Sequence, residues 1–342
     1  MLTTTKYVLV EVNTAVCKRL AELLRKSDIP RDEEGSALPG FPPHFIGNFF
    51  LALVAICHQT SPRHHPALEG VVNGTHLRGW DYLFARFESA ARNDAALLEP
   101  PTWRELAAAD IRNLFRDKEY GELLTDTEGR AALLRDLGQR MLAHAWKNAD
   151  AIQEFCNGRV ATGHPNLLDM LAEFRAYDDP VRKKSLFFLA LMRNSHTWRY
   201  RDDDKLGPPV DYHEVRGHLR IGTIDVKSSE LREKLRQGIE VASEEDFAIR
   251  QAVYDAIMLV SRDSGINNPS QLHYLFWNVF RSICTRQSPQ CLKLSSNSTL
   301  PHRYLPLTVQ QNDQRRCPFS PVCKSARIDD RFVEHVFQTD YY

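Results

Sequence analysis

The stretch Cys284-Thr285-Arg286-Gln287-Ser288-Pro289-Gln290-Cys291, answered further on by Cys317-Pro318-Phe319-Ser320-Pro321-Val322-Cys323, carries the most information in this chain. Its cysteines fall as C-x6-C and C-x5-C, with 25 residues, 292–316, between the pairs. Four thiols gathered in one segment point to a metal centre. Zinc sites made of cysteine are tetrahedral and use knuckles with two to four residues between ligands. Six residues between ligands describe a loop wrapped round a larger object, so the spacing favours an iron–sulfur cluster, with zinc as the alternative. The remaining cysteines, Cys17, Cys57 and Cys156, sit among apolar residues at helical spacing and are expected to be buried core thiols.

Outward from that segment the chain has ordinary globular composition. Its 342 residues suggest two domains or lobes, and 43% hydrophobic content is enough to bury real cores. Forty-four Lys and Arg balance 44 Asp and Glu, so any surface for nucleic acid must be local. Met1 to Val12 has no basic n-region or small-residue cleavage site, and the apolar run Phe45 to Cys57 is too short to cross a bilayer. The expected setting is cytoplasmic, or nuclear in a eukaryote, with reduced cysteines and no membrane partner.

Apolar residues recur at three- and four-residue spacing over Val16 to Leu24, Phe45 to Cys57, Trp80 to Ala91, Trp103 to Phe115, Ala131 to Phe155 and Leu167 to Phe174. The same pattern runs over Lys183 to Met192, Ser229 to Gln237, Glu244 to Ser261 and Ser270 to Ile283, while strand-like alternation is scarce. The fold class expected is all-α. The organisation expected is an N-terminal helical region over 1–160, a helical core over 161–283, and a cluster loop with its tail over 284–342.

Upstream, Val210-Asp211-Tyr212-His213-Glu214-Val215-Arg216 reads V-D-x-H-x-x-R, and Leu272-His273-Tyr274-Leu275 and Val279-Phe280-Arg281 lead into Ile283-Cys284. Together with the cysteines, these strings resemble the helix-hairpin-helix base-excision DNA glycosylases that carry an iron–sulfur cluster loop, endonuclease III and the adenine-mismatch enzymes. That loop is written C-x6-C-x2-C-x5-C, so here 25 residues stand where the family has two. Loop-closure entropy grows slowly with length, and the ligand count is intact. The resemblance covers Asp178 to Cys323. It implies a two-lobed helical glycosylase-like fold, a 4Fe–4S cluster on the four cysteines, and Asp211 as the catalytic carboxylate. The family's hairpin, approximately L-P-G-V-G-R-K-T-A, corresponds to Asp179-Pro180-Val181-Arg182-Lys183-Lys184-Ser185-Leu186, which keeps a basic pair and a hydroxyl but not the glycines. Lys184 lines up with the lysine that lyase-competent members use as a Schiff-base nucleophile.

The chemistry gives Asp211 a reason. Breaking an N-glycosidic bond builds oxocarbenium character that an ionised carboxylate stabilises, and His213 or Arg216 can keep that carboxylate charged. Pro208-Pro209-Val210-Asp211, with Glu214 three residues on, is also a helix N-cap signal, and the two roles are compatible. Tyr212, His213 and Arg216 are expected near the substrate. Trp198 and Tyr200 either stack on a base or anchor their loop. Asp202, Asp203 and Asp204 read as solvated loop charges.

Three functions follow. The first is a monomeric DNA glycosylase that flips a base and hydrolyses its bond, with associated lyase chemistry if Lys184 acts. Arg281, Arg286, Lys293, Arg303, Arg315, Arg316, Lys324 and Arg327 supply a local basic surface for DNA. The second is an N-glycosidase acting on a free modified nucleotide, similar to the queuosine-salvage enzymes. The third is a non-enzymatic nucleic-acid-binding protein stapled by a cluster or by zinc.

Overall fold

Helices form nearly everywhere the sequence repeats apolar residues at helical spacing, because such a stripe can be buried on one side. The computed structural model describes residues 8–25, 27–30, 38, 40–61, 63, 65–328 and 331–342. Met1 to Tyr7, at the start of the stretch read for an export signal, lie outside them. In chain order the elements are β1 (Val10–Val12), α1 (Thr14–Arg25), α2 (Pro43–Ala55), β2 (Glu69–Val72), β3 (Thr75–Arg78), α3 (Trp80–Asn93), α4 (Pro100–Glu105), α5 (Ala108–Phe115), α6 (Thr127–Ala143) and α7 (Ala149–Phe155). They continue with α8 (Leu167–Leu171), α9 (Lys183–Asn194), α10 (Tyr212–Ile221), β4 (Ile224–Val226), α11 (Ser229–Gln237), α12 (Ser243–Ser264), α13 (Pro269–Ser282), β5 (Val309–Gln311) and β6 (Gln314–Arg316).

The single helices expected over Trp103 to Phe115 and Ala131 to Phe155 are each two. The Asp110 side chain accepts the Ala107 N–H at 2.9 Å and starts α5 afresh, and Asn148 caps α7 through the Ala151 N–H at 3.2 Å. The fold is helix-rich rather than strictly all-α, since three antiparallel pairs, β1 with β4, β2 with β3 and β5 with β6, stand among the helices.

Two compact units emerge. A terminal unit joins the described residues within Met1–Asp32 to Gly207–Gln338, and a central unit holds those within Glu33–Leu206 together with Thr339–Tyr342. The divisions suggested at 160 and 283 therefore fall inside units. In the terminal unit α1 packs on α12, and a core from Cys17 and Leu20 through Val253 and Ile257 runs to Phe276, Phe280 and Phe319. In the central unit the buried helix α2 ends on cations. Arg130, fully buried, donates to the carbonyls of Ile56, His58 (2.7 Å) and Thr125 (2.9 Å), and Lys184 donates to that of Ala55.

The segment from Gly158 to Pro165, around the division expected at 160, is bound within the central unit. Asp202, only 8% exposed, accepts the N–H groups of Val160 (2.6 Å), Ala161 (3.1 Å) and Thr162 (2.8 Å). It is a buried cap and not a solvated charge. Burial alone raises its pKa, but the donors from Thr162, Val160 and Ala161 outweigh burial and bring it down to about 2. A carboxylate depressed in this way stabilises the fold at every pH above its unfolded value, and that contribution is lost as pH falls through about 2. Asp202→Ala is expected to cost about 2 kcal/mol at neutral pH by urea unfolding. An unchanged midpoint would show that the three N–H groups find other partners.

Candidate metal centre and active-site helix

Helix α10 links the two sets of residues singled out by the sequence. Asp211 is its N-cap. Oδ1 accepts the N–H groups of His213 (2.7 Å) and Glu214 (3.3 Å), while Glu214 returns an oxygen to the Asp211 N–H at 2.9 Å, completing a capping box. The second oxygen, Oδ2, accepts the indole N–H of Trp277 at 3.2 Å. Asp211 is 8% exposed. These three donors and the positive end of the helix face the carboxylate. Beneath it, Glu214 and His273, both buried, are hydrogen-bonded to each other.

One turn along α10, Arg216 ties this end to the cysteine loop. Its Nε donates to the Cys284 carbonyl at 2.8 Å, Nη2 meets His213 Nδ1 at 2.7 Å, and Nη1 pairs with Glu334 at 2.8 Å. Burial works against charge on Arg216, but Glu334 opposite outweighs it and raises the pKa. Arg286 forms a second ion pair with Glu334 and lies over the Tyr212 ring at 5.7 Å. The His213 ring stands edge-on to Trp277.

At the foot of α10, Arg220 Nη1 donates to the Cys284 sulfur at 3.2 Å and to the Thr285 carbonyl at 2.7 Å, and the Arg220 carbonyl accepts from Cys323 Sγ at 3.3 Å. Gly217 is required here, because a Cβ would stand 2.2 Å from the Phe280 ring. The 25-residue excursion closes on itself: the Cys317 N–H donates to the Cys291 carbonyl at 3.1 Å, and the Leu294 N–H to that of Arg315 at 2.8 Å. Its length therefore does not separate the two cysteine pairs. All four cysteines, with Gly217, Arg220, Phe280 and Phe319, line one small cavity of about 10 Å³. That is about the room a single water needs. Burial, reinforced by the neighbouring Cys284, pushes the Cys291 and Cys317 thiols up; burial also takes Cys323 to about 12. A bound cationic metal reverses that preference, since only thiolates ligate. No three His, Cys, Asp or Glu side chains among the described residues are gathered as a single metal ion requires.

The other expected residues belong to the central unit. Trp198 is buried, donates its indole N–H to Asp150 at 2.7 Å and packs edge-on against Phe188; the Tyr200 hydroxyl donates to the Leu189 carbonyl at 2.7 Å. Both anchor their loop. Arg182, just before α9, adopts φ +61°, a left-handed conformation that favours glycine. Asp179 closes this turn by accepting the Val181 and Lys183 N–H groups. Lys184, fully buried, has its pKa lowered to about 7 by burial.

Sequence reasoning missed Trp277, Arg220 and Glu334. Arg220 lies four residues beyond Arg216, one helical turn, and that spacing was the available signal. Nothing local marks the other two. Compared with known families and curated proteins, the chain matches no family model and no curated protein.

Proposed function

We propose that this chain is an N-glycosidase of the base-excision DNA glycosylase type, with Asp211 as its catalytic carboxylate and a 4Fe–4S cluster on Cys284, Cys291, Cys317 and Cys323. The observation that carries the reading is the joining of both parts by one helix: four thiols from two loops line a cavity at the foot of α10, and Asp211 caps its head. Zinc on the same four thiols is the alternative; the C-x6-C and C-x5-C spacing is what supports the cluster. When bound, the cluster supplies a cross-link between the loops and carries no step of the reaction.

In this reading the Asp211 carboxylate lies beneath the sugar and stabilises positive charge at C1′ as the base departs, while the two backbone N–H groups and Trp277 hold it in place. Arg216 fixes the His213 ring and the cluster loop together, so it positions and does not touch substrate. Release of a free base from duplexes carrying modified or mismatched bases, measured by chromatography, tests the proposal. Release from free nucleotides with none from duplexes would favour the nucleotide-salvage alternative.

Lys184 is the natural Schiff-base candidate by pKa, but its amine is buried on the Ala55 carbonyl, which favours hydrolysis without lyase chemistry. Lys184→Met is expected to leave base release within about twofold. It should also remove a pH dependence. The unfolded lysine titrates near 10.5 and the folded one at about 7, so the unfolded state holds the extra proton in that window. Wild-type stability therefore rises with pH from 7 towards 10.5, by up to about 1.4 kcal/mol per unit, and the Met variant loses that slope. A borohydride-trapped complex seen in wild type and absent in Lys184→Met would restore the lyase role.

A further inference from the structure

We propose that the excursion over residues 292–316 is a DNA-reading arm whose β5–β6 ribbon enters the major groove of a duplex, an inference that rests on the DNA reading above and adds a surface to it. The arm is seated at its base and bare at its tip. Leu300 and Tyr304 are buried in the core of the terminal unit, and Arg315 Nη1 donates to the Leu305 carbonyl at 3.1 Å. Beyond them Gln310, Gln311, Asn312 and Gln314 are exposed, as is Arg315 beside the seat it bonds to.

The ribbon has the form and the chemistry for base edges. Gln310 pairs with Arg315 and Gln311 with Gln314 across the antiparallel register, and the connection turns through Asn312 and Asp313, both at positive φ. A two-stranded ribbon fits the major groove of B-form DNA. There, glutamine and asparagine pair with the N6/N7 edge of adenine, and arginine with the O6/N7 edge of guanine. No large apolar side chain stands at the tip between Gln310 and Arg315, so an apolar protein groove is a poorer match. Charge agrees. In a chain of zero net charge the arm carries Lys293, Arg303, Arg315 and Arg316 against Asp313 alone. Asp313, at the turn, is the one group that repels phosphate.

The arm is also bracketed by metal ligands, for Cys291 and Cys317 end it on both sides and share a backbone hydrogen bond. A tip held on so firm a root loses little freedom on binding, which suits a reading element.

The test uses the protein as purified, with labelled duplexes of several sequences titrated across about 50–200 mM salt and followed by anisotropy. Two variants are compared, Arg303→Ala/Arg315→Ala and Gln310→Ala/Gln311→Ala/Gln314→Ala, each checked for unchanged visible absorbance and melting. The arginine pair is expected to weaken binding to every duplex and to lower the log–log salt slope by about two. The glutamine triple is expected to keep the slope but to lose about tenfold on the tightest duplex, narrowing the spread among sequences. Wild-type affinity, slope and spread in both variants would overturn the arm while leaving base release, and so the glycosylase reading, intact. Failure of wild type itself to bind any duplex at the lowest salt would overturn the DNA reading along with it.

Discussion

Serine at any one of Cys284, Cys291, Cys317 or Cys323 is expected to strip the purified protein of its iron and acid-labile sulfide and to melt the C-terminal part of the terminal unit. The same change at Cys17, Cys57 or Cys156 should leave both intact. The wild-type protein, isolated anaerobically, should carry about four irons per chain and the broad visible absorbance of sulfide-bridged iron. The large effect follows from where the cavity sits. Cys284 and Cys317 belong to the same core as Phe276, Phe280 and Phe319, and Arg216 and Arg220 spend buried donors on the loop that Cys284 opens. Binding energy of a structural metal is folding energy, on the order of 10 kcal/mol for a thiolate site. Without it, the remaining thiols that burial raises stay protonated, and the buried Arg216–Glu334 pair loses the framework that offsets its desolvation. Stoichiometric zinc without sulfide, persisting after reconstitution with iron and sulfide, would sink the cluster and make a stapled nucleic-acid-binding protein the better reading.

The sequence made some of this legible and hid the rest for identifiable reasons. Capping at Asp211 was readable because its partners, His213 and Glu214, are two and three residues away. The helices were readable for the same reason, since their signal is local periodicity. Trp277 reaches Asp211 across 66 positions, and Glu334 reaches Arg216 across 118, distances over which residue type alone carries no pairing information. The discontinuous terminal unit is hidden in the same way: β1 finds β4 more than two hundred residues on, and three-residue strands are too short to show alternation. The β2–β3 hairpin is a different failure. Val72-Asn73-Gly74-Thr75 is a two-residue turn signal with positive φ at both central residues, a local signal to which helical periodicity is blind. Asp202 was misread because its neighbours Asp203 and Asp204 look alike in sequence, while only Asp202 faces the N–H groups of residues 160–162.

Asp211→Asn separates the two roles that the geometry gives this residue. Asparagine is as good an N-cap as aspartate, so its carbonyl can still accept from His213 and Glu214 and start α10. Its amide nitrogen then faces the Trp277 indole N–H, donor against donor, where Asp211 offered Oδ2. The expected stability cost is therefore modest, about 1 kcal/mol, and Trp277→Phe added to it should recover most of that. Catalysis has no such substitute, because a neutral amide cannot stabilise an oxocarbenium-like sugar. Base release should fall by at least about 10²-fold with substrate binding little changed, the pattern of an interaction made only in the transition state. Asp211→Ala should lose the same rate and, unlike Asn, destabilise the helix on which both the site and the cluster loop depend. If Asp211→Asn instead releases base at the wild-type rate, Asp211 is a cap alone, and the carboxylate that serves the sugar must be sought elsewhere in the protein.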